Sequence, residues 1–251
     1  MSCTASNIPA DKHLFFDRRG GFSTGKYHSL NFSLNSLDNR ENIFKNIAIV
    51  ANHFNQSEKN LNIMIQGVSN KAVYIEKPSQ FQIEADGAVT DKTNIILAIR
   101  TADCAPVLFY DGKHKVIGVS HAGWRGALYG IIENTLSLML SYGAEKKTIA
   151  AAVGPCLQKT SFECQQDMIE KFLNINPNYQ IFFTPQDKRH WLFDAQAFCV
   201  HKLKTCGVDN IWTSNINTYT DDNYFSYRRN CHQKSVSQPK DFPSHLSTIM
   251  L

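Results

Sequence analysis

The chain has 251 residues, a formal charge of +4, and 43% hydrophobic against 19% charged residues. Such a length and balance support a large core, exclude wholesale disorder and predict one domain over residues 1–251. The basic residues are scattered apart from short pairs such as Lys146-Lys147 and Arg228-Arg229, a pattern that argues against nucleic acid as a partner and suits an anionic small molecule.

The N-terminal segment MSCTASNIPADKHLFFDRRGG lacks a basic stretch followed by an apolar one, and no apolar run approaches the roughly 20 residues that cross a bilayer. A cytoplasmic protein with no membrane partner is expected. Arg18 to Gly25 holds three glycines in six positions and reads as a loop. Arg40 to Phe54, with Ile43, Phe44, Ile47, Ala48 and Ala51 near helical spacing, reads as an amphipathic helix. Short β-branched runs follow at Ile63 to Ile65, Ala72 to Ile75, Ile95 to Ile99, Val107 to Tyr110 and Val116 to Val119, predicting buried strands. Asp111-Gly112 marks a hairpin turn between the last two.

Beyond Gly126, the residues Leu128, Ile131, Ile132, Thr135, Leu136 and Met139 predict one helix ended by Gly143. Ile149 to Val153 reads as a strand, Gln165 to Leu173 as a helix, and Phe193-Asp194 through Leu203 as a helix ending near Gly207. Ile211-Trp212 reads as a strand. The alternation predicts an α/β fold, mixed sheets flanked by helices.

Two segments carry reactive side chains at strand ends. Thr101-Ala102-Asp103-Cys104-Ala105-Pro106 is followed by Ser120-His121-Ala122-Gly123-Trp124-Arg125-Gly126. Cys104 and His121 suit two chemistries: ligands of a catalytic zinc, which needs a third donor, or a thiol activated by an imidazole base. The plain alternative is a buried cysteine and a satisfied histidine. Arg125 offers a rigid fork for phosphate or carboxylate, or is a solvated helix residue. Tyr224 to Arg229 (YFSYRR) could stack a planar base and bind phosphate, or form an edge strand with exposed arginines. Seven cysteines without an export signal argue against a disulfide framework.

Taken together, Arg18 to Gly25 with Tyr27 and Ser29-Leu30-Asn31, Glu84-Ala85-Asp86 with Val89-Thr90, Thr101 to Pro106, His121 to Gly126, Gly154-Pro155 and Phe225 to Arg229 resemble the YfiH/laccase-domain family, also described as multicopper polyphenol oxidase-like or purine nucleoside phosphorylase proteins. The resemblance implies an α/β fold and a zinc site that includes Cys104 and His121. It further implies phosphorolysis of adenosine, inosine and methylthioadenosine, with adenosine deamination; copper-dependent phenol oxidation has also been attributed to the family. Arg18, Arg125 and Arg228 become candidate substrate or phosphate contacts.

The family's third zinc ligand comes from a Gln-Val-His-Gly motif. Here that segment falls at Gln66-Gly67-Val68-Ser69, with Val68, or Ser69 in a shifted alignment, at the histidine position. A Thr-Gly-Arg motif that commonly follows the second arginine is replaced by Asn230 to Ser235, whose Cys231 and His232 are considered as substitute ligands, with His53 and His114 as weaker ones. A metal-free Cys104/His121 hydrolase or transferase, and a ligand-binding homologue without catalysis, remain open alternatives.

Overall fold

A computed structural model describes residues 2–234 and 241–251. In chain order the strands are β1 (His13–Phe15), β2 (Leu61–Ile63), β3 (Ala72–Tyr74), β4 (Gly87–Thr90), β5 (Ile96–Thr101), β6 (Ala105–Asp111), β7 (Val116–Ala122), β8 (Ala150–Val153), β9 (Glu163–Gln165), β10 (Phe183–Pro185), β11 (His190–Phe193), β12 (Asn210–Thr213) and β13 (His245–Ile249). The helices are α1 (Arg40–His53), α2 (Trp124–Leu128), α3 (Ile131–Ser141), α4 (Gln166–Ile175), α5 (Ala195–Thr205) and α6 (Tyr227–His232). The mixed α/β class expected from the sequence is the one observed.

A four-stranded sheet runs β1-β13-β5-β2 and a six-stranded sheet runs β12-β8-β6-β7-β4-β3. Strand alternation gives each a different apolar face. Leu97 and Ile99 of β5 pack with Leu108, Ile117, Val119 and Ala152 of the larger sheet, so the two sheets bury these faces against each other. The far side of the small sheet, with Ile96 and Ala98, meets Ile43, Ile47 and Val50 of α1. The far side of the large sheet, with Val107, Phe109 and Val153, packs on α3, α4 and α5.

The chain passes from one sheet to the other between β5 and β6. Asp103 makes the crossing turn with φ +89. Its carboxylate accepts hydrogen bonds from the Thr218 hydroxyl at 2.7 Å and the Arg228 backbone N–H at 2.7 Å, which ties the turn to the start of α6. Short polar residues tolerate positive φ better than most, and the fully used carboxylate holds the turn in place.

Helix α1 lies where its periodicity predicts. The single helix expected after Gly126 is instead two, because Gly130 takes φ +101 and separates α2 from α3. Only glycine adopts that conformation without steric cost, so an unbroken apolar stripe hides a break. The segment at Tyr224 to Arg229 is the entry to helix α6, capped by the Ser226 hydroxyl accepting from the Arg229 N–H, and not an edge strand.

Candidate active site

The antiparallel register of β6 and β7 sets Ala105 opposite Ala122 and Pro106 opposite His121. The Cys104 turn is therefore brought beside the imidazole, at the seam between the two sheets. Both residues line a cavity of about 270 Å³ together with Gln66, Val68, Arg100, Thr101, Tyr227, Phe242 and Ser244. None of the four histidines and cysteines named as outlying candidates lines it. His53 packs edge-on between Phe16 and Phe54, and His114 is bound to Asp111 at 2.9 Å. His232 pairs with the Tyr219 hydroxyl at 3.0 Å, and Cys231 is exposed. Ser235 lies outside the described residues. Cys156 and Cys164 are buried in the helix-side core.

His121 is oriented from behind. Its Nδ1 bonds the Asp86 carboxylate at 2.7 Å and its backbone N–H bonds the Asp86 carbonyl at 2.7 Å, leaving Nε2 to face the Cys104 sulfur and the cavity. A carboxylate on one ring nitrogen fixes the tautomer that the other presents. Burial opposes protonation of the ring, but the Cys104 sulfur and the Asp86 carboxylate outweigh it and lift the pKa of His121 to about 9. Asp86 is itself buried, which raises the cost of its charge. The bonds from His121 and Ser69 prevail, so its pKa falls to about 2.

Asp86 also holds the loop at Gly67 to Ser69. It accepts from the backbone N–H groups of Gly67 at 3.1 Å, Val68 at 3.0 Å and Ser69 at 2.7 Å, and from the Ser69 hydroxyl at 2.6 Å. Within the Glu84-Ala85-Asp86 motif, nothing in the sequence singles out Asp86 for this role.

Val68 is in the cavity wall. A Cβ built on Gly123 would sit 2.8 Å from Val68 Cγ1 and 3.2 Å from Cys104 Sγ, so Gly123 is needed for the approach of these protein groups rather than of a ligand. Val68 has φ +60, a region that β-branched residues avoid. The loop keeps the backbone of a left-handed residue while its side chain offers no donor.

A catalytic zinc held by three protein ligands does not fit this donor set. Cys104 and His121 supply two, Asp86 is turned to the far ring nitrogen, and Val68 supplies none. Among the described residues no group of three or more His, Cys, Asp or Glu side chains is placed to hold a metal ion.

The three arginines singled out from the sequence face elsewhere. Arg18 donates through Nε at 2.6 Å and through Nη2 to the His28 carbonyl, and lies 4.5 Å from the Phe225 ring centroid. Arg125 is exposed and stacks on Trp124 at 4.1 Å. Arg228 donates to the Glu163 carbonyl at 2.9 Å. The YFSYRR segment delivers Tyr227 to the cavity, where its ring centroid is 4.7 Å from that of Phe242. The arginine that does line the cavity is Arg100, which sequence reasoning passed over because it sits inside an apolar strand.

Residues 12–236 match the family model described as multi-copper polyphenol oxidoreductase laccase. The chain belongs to this family. It is 34% identical over 221 residues to a Rickettsia prowazekii protein named purine nucleoside phosphorylase, covering 87% of this chain and 89% of that one. Against the Escherichia coli purine nucleoside phosphorylase YfiH it is 28% identical over 214 residues, covering 84% and 86%. A crystal structure of a Neisseria meningitidis protein superposes with a TM-score of 0.88 at 29% identity, over 100% of this chain and 98% of that one. The Bacillus licheniformis YfiH structure, at 23% identity and a TM-score of 0.86 over 97% of both chains, shares the fold. Among the described residues no helix is long and apolar enough to cross a membrane.

Proposed function

We propose that the chain is a purine nucleoside phosphorylase whose reaction takes place in the cavity walled by Cys104, His121, Tyr227 and Phe242. The observation that carries this reading is the meeting of an oriented Cys/His pair with two aromatic rings in one cavity, in a chain whose relatives are named for that activity. In the reaction a phosphate oxygen bonds to C1′ of the nucleoside, the bond from C1′ to the purine nitrogen breaks, and the base leaves with a proton.

Each part of the cavity has work in that scheme. Tyr227 and Phe242 offer faces to a purine, which stacks on aromatic rings. His121, steadied at Nδ1 by Asp86, directs Nε2 toward the departing base and supplies a hydrogen bond as negative charge develops on it. Cys104 lies within hydrogen-bonding reach of the ring and favours its charged form. Zinc, with copper as the other candidate, would be held here by two protein donors at most, and no step is assigned to it.

Adenosine deamination is the finer part of this reading. It requires a water activated beside a purine carbon, which a fully ligated metal would favour, so with two donors it is expected to be the slower reaction. Adenosine separates the two outcomes in one assay, since phosphorolysis yields adenine and deamination yields inosine. Adenine and ribose 1-phosphate, formed only with phosphate and lost in Cys104→Ala and His121→Ala, is the expected result. Base release without phosphate would replace this reading with a hydrolase. Tight binding of inosine without turnover would replace it with a ligand-binding homologue.

A further inference from the structure

Among the described residues, Arg100 is a cation in the cavity wall that no carboxylate pairs with. Its backbone is fixed on both sides by Gln66, whose Oε1 accepts from the Arg100 N–H at 2.9 Å and whose Nε2 donates to the Arg100 carbonyl at 2.8 Å. Its side chain is less well served. One Nη2 bond reaches the Met64 carbonyl at 3.3 Å, the Phe81 ring lies 5.9 Å away, and Nε is buried with no partner. No carboxylate among the described residues forms an ion pair with it, and residues 235–240 contain no acidic side chain.

Ser244 repeats the pattern. Leu246 is the cross-strand partner of Arg100, and Ser244 lies two residues before it, at the diagonal position beside the same strand end. Ser244 lines the cavity, is buried, and its Oγ has no hydrogen-bond partner. Two donors left unpaired in one cavity wall are costly, about 1–3 kcal/mol for a neutral group and more for a charged one. Of the buried polar atoms left without a partner among the described residues, these two belong to residues that line the cavity, where a bound ligand can complete them. Burial alone, with nothing to offset it, depresses the Arg100 pKa to about 10, which still leaves the guanidinium charged at neutral pH.

We infer that Arg100 and Ser244 form the anion subsite of the cavity and take up the phosphate co-substrate. This rests on the phosphorylase reading for the role of the anion, but not for its binding. Guanidinium and hydroxyl donors match the oxygens of a tetrahedral oxyanion, and a phosphate bound in this cavity shares it with the base-stacking rings and the His121 ring. Arg18, Arg125 and Arg228 are engaged elsewhere and do not compete for this role.

The test uses the full chain and inorganic phosphate. Wild type is expected to gain thermal stability as phosphate is raised at constant ionic strength, by ligand linkage to the folded state. Arg100→Gln should weaken that phosphate dependence 10- to 100-fold and raise the KM for phosphate equally, with the KM for inosine changed less than about twofold. Arg100→Lys should recover part of the loss. Ser244→Ala, which removes only an unpartnered hydroxyl and preserves the fold, should weaken phosphate binding roughly three- to tenfold, and it decides the matter if Arg100→Gln fails to fold. Absence of a phosphate effect in wild type, or equal phosphate binding in wild type and Ser244→Ala together with a folded Arg100→Gln, overturns the subsite. Phosphate binding that depends on Arg100 without any cleavage of inosine would keep the subsite and remove the phosphorylase reading.

Discussion

Asp86, behind the His121 ring, and Arg100, in the cavity wall, are both largely buried charges, and they are treated in opposite ways. Asp86 accepts hydrogen bonds from Gly67, Val68, Ser69 and His121, and against its burial the His121 and Ser69 bonds hold its pKa down at about 2. Arg100 has a single long bond from Nη2, a bare Nε and a pKa pushed down toward 10. A buried charge whose partners are all within the protein acts as scaffold; one without them is a demand on something from outside. Asp86 accordingly fixes where His121 and the Val68 loop stand, and Arg100 is left free to recognise.

The largest effect that could break this division is on Asp86. Asp86→Ala removes the acceptor of three backbone N–H groups and of the His121 ring, and should cost roughly 3–5 kcal/mol of stability. For a chain of this size that is a fall in Tm of about 10 °C. Thermal unfolding of the variant beside Arg100→Gln checks it: Arg100→Gln is expected to cost less than about 1 kcal/mol, because little is bonded to the side chain it replaces. Equal losses for the two would end the distinction between scaffold and recognition.

Next in size is the metal. Val68→His puts a donor where the loop already approaches Cys104, and histidine tolerates φ +60 better than a β-branched residue does. Zinc affinity, read by competition with a chromogenic chelator, should rise on the order of 100-fold as two donors become three. An unchanged affinity would show that the loop holds position 68 away from the Cys104/His121 pair.

How far the sequence foretold this depended on whether a feature was local. Helix α1, the strands β5 to β8 and the Cys104/His121 pair follow from periodicity and from motifs that stand at strand ends. Strand β4, built from Gly87–Thr90, lacks an apolar run because its small residues pack under α3. Strand β13 pairs with β5 across most of the chain, so Ser244 has no local signal at all. The arginines were read from their motifs, yet Arg18 and Arg228 spend their donors on backbone carbonyls that only the fold brings near. Arg100 directly follows the apolar run Ile95 to Ile99, and the strand extends through it to Thr101. Its meaning depends on the absence of a carboxylate nearby, which one strand cannot reveal.

The smallest effect concerns His245, a buried titratable group beside Ser244 that sharpens the comparison because, unlike arginine, it can shed its charge. Its Nε2 pairs with the Thr101 hydroxyl at 3.0 Å, its Nδ1 has no partner, and burial pushes its pKa down to about 3. The folded value lies below the ordinary 6.5, so the unfolded chain takes the proton first. Stability from this group is complete above pH 6.5 and is lost as pH falls toward 3, about 2 kcal/mol of it by pH 5. His13, also lowered by burial, adds to the same slope, whereas Asp103, raised by burial, works against it at the acid end. The difference in unfolding free energy between wild type and His245→Gln therefore isolates the term: it should narrow in favour of the variant between pH 7 and pH 5. A difference that stays constant over that range would mean that the His245 ring accepts a proton in the folded protein, and that this wall of the cavity tolerates uncompensated charge more readily than Arg100 implies.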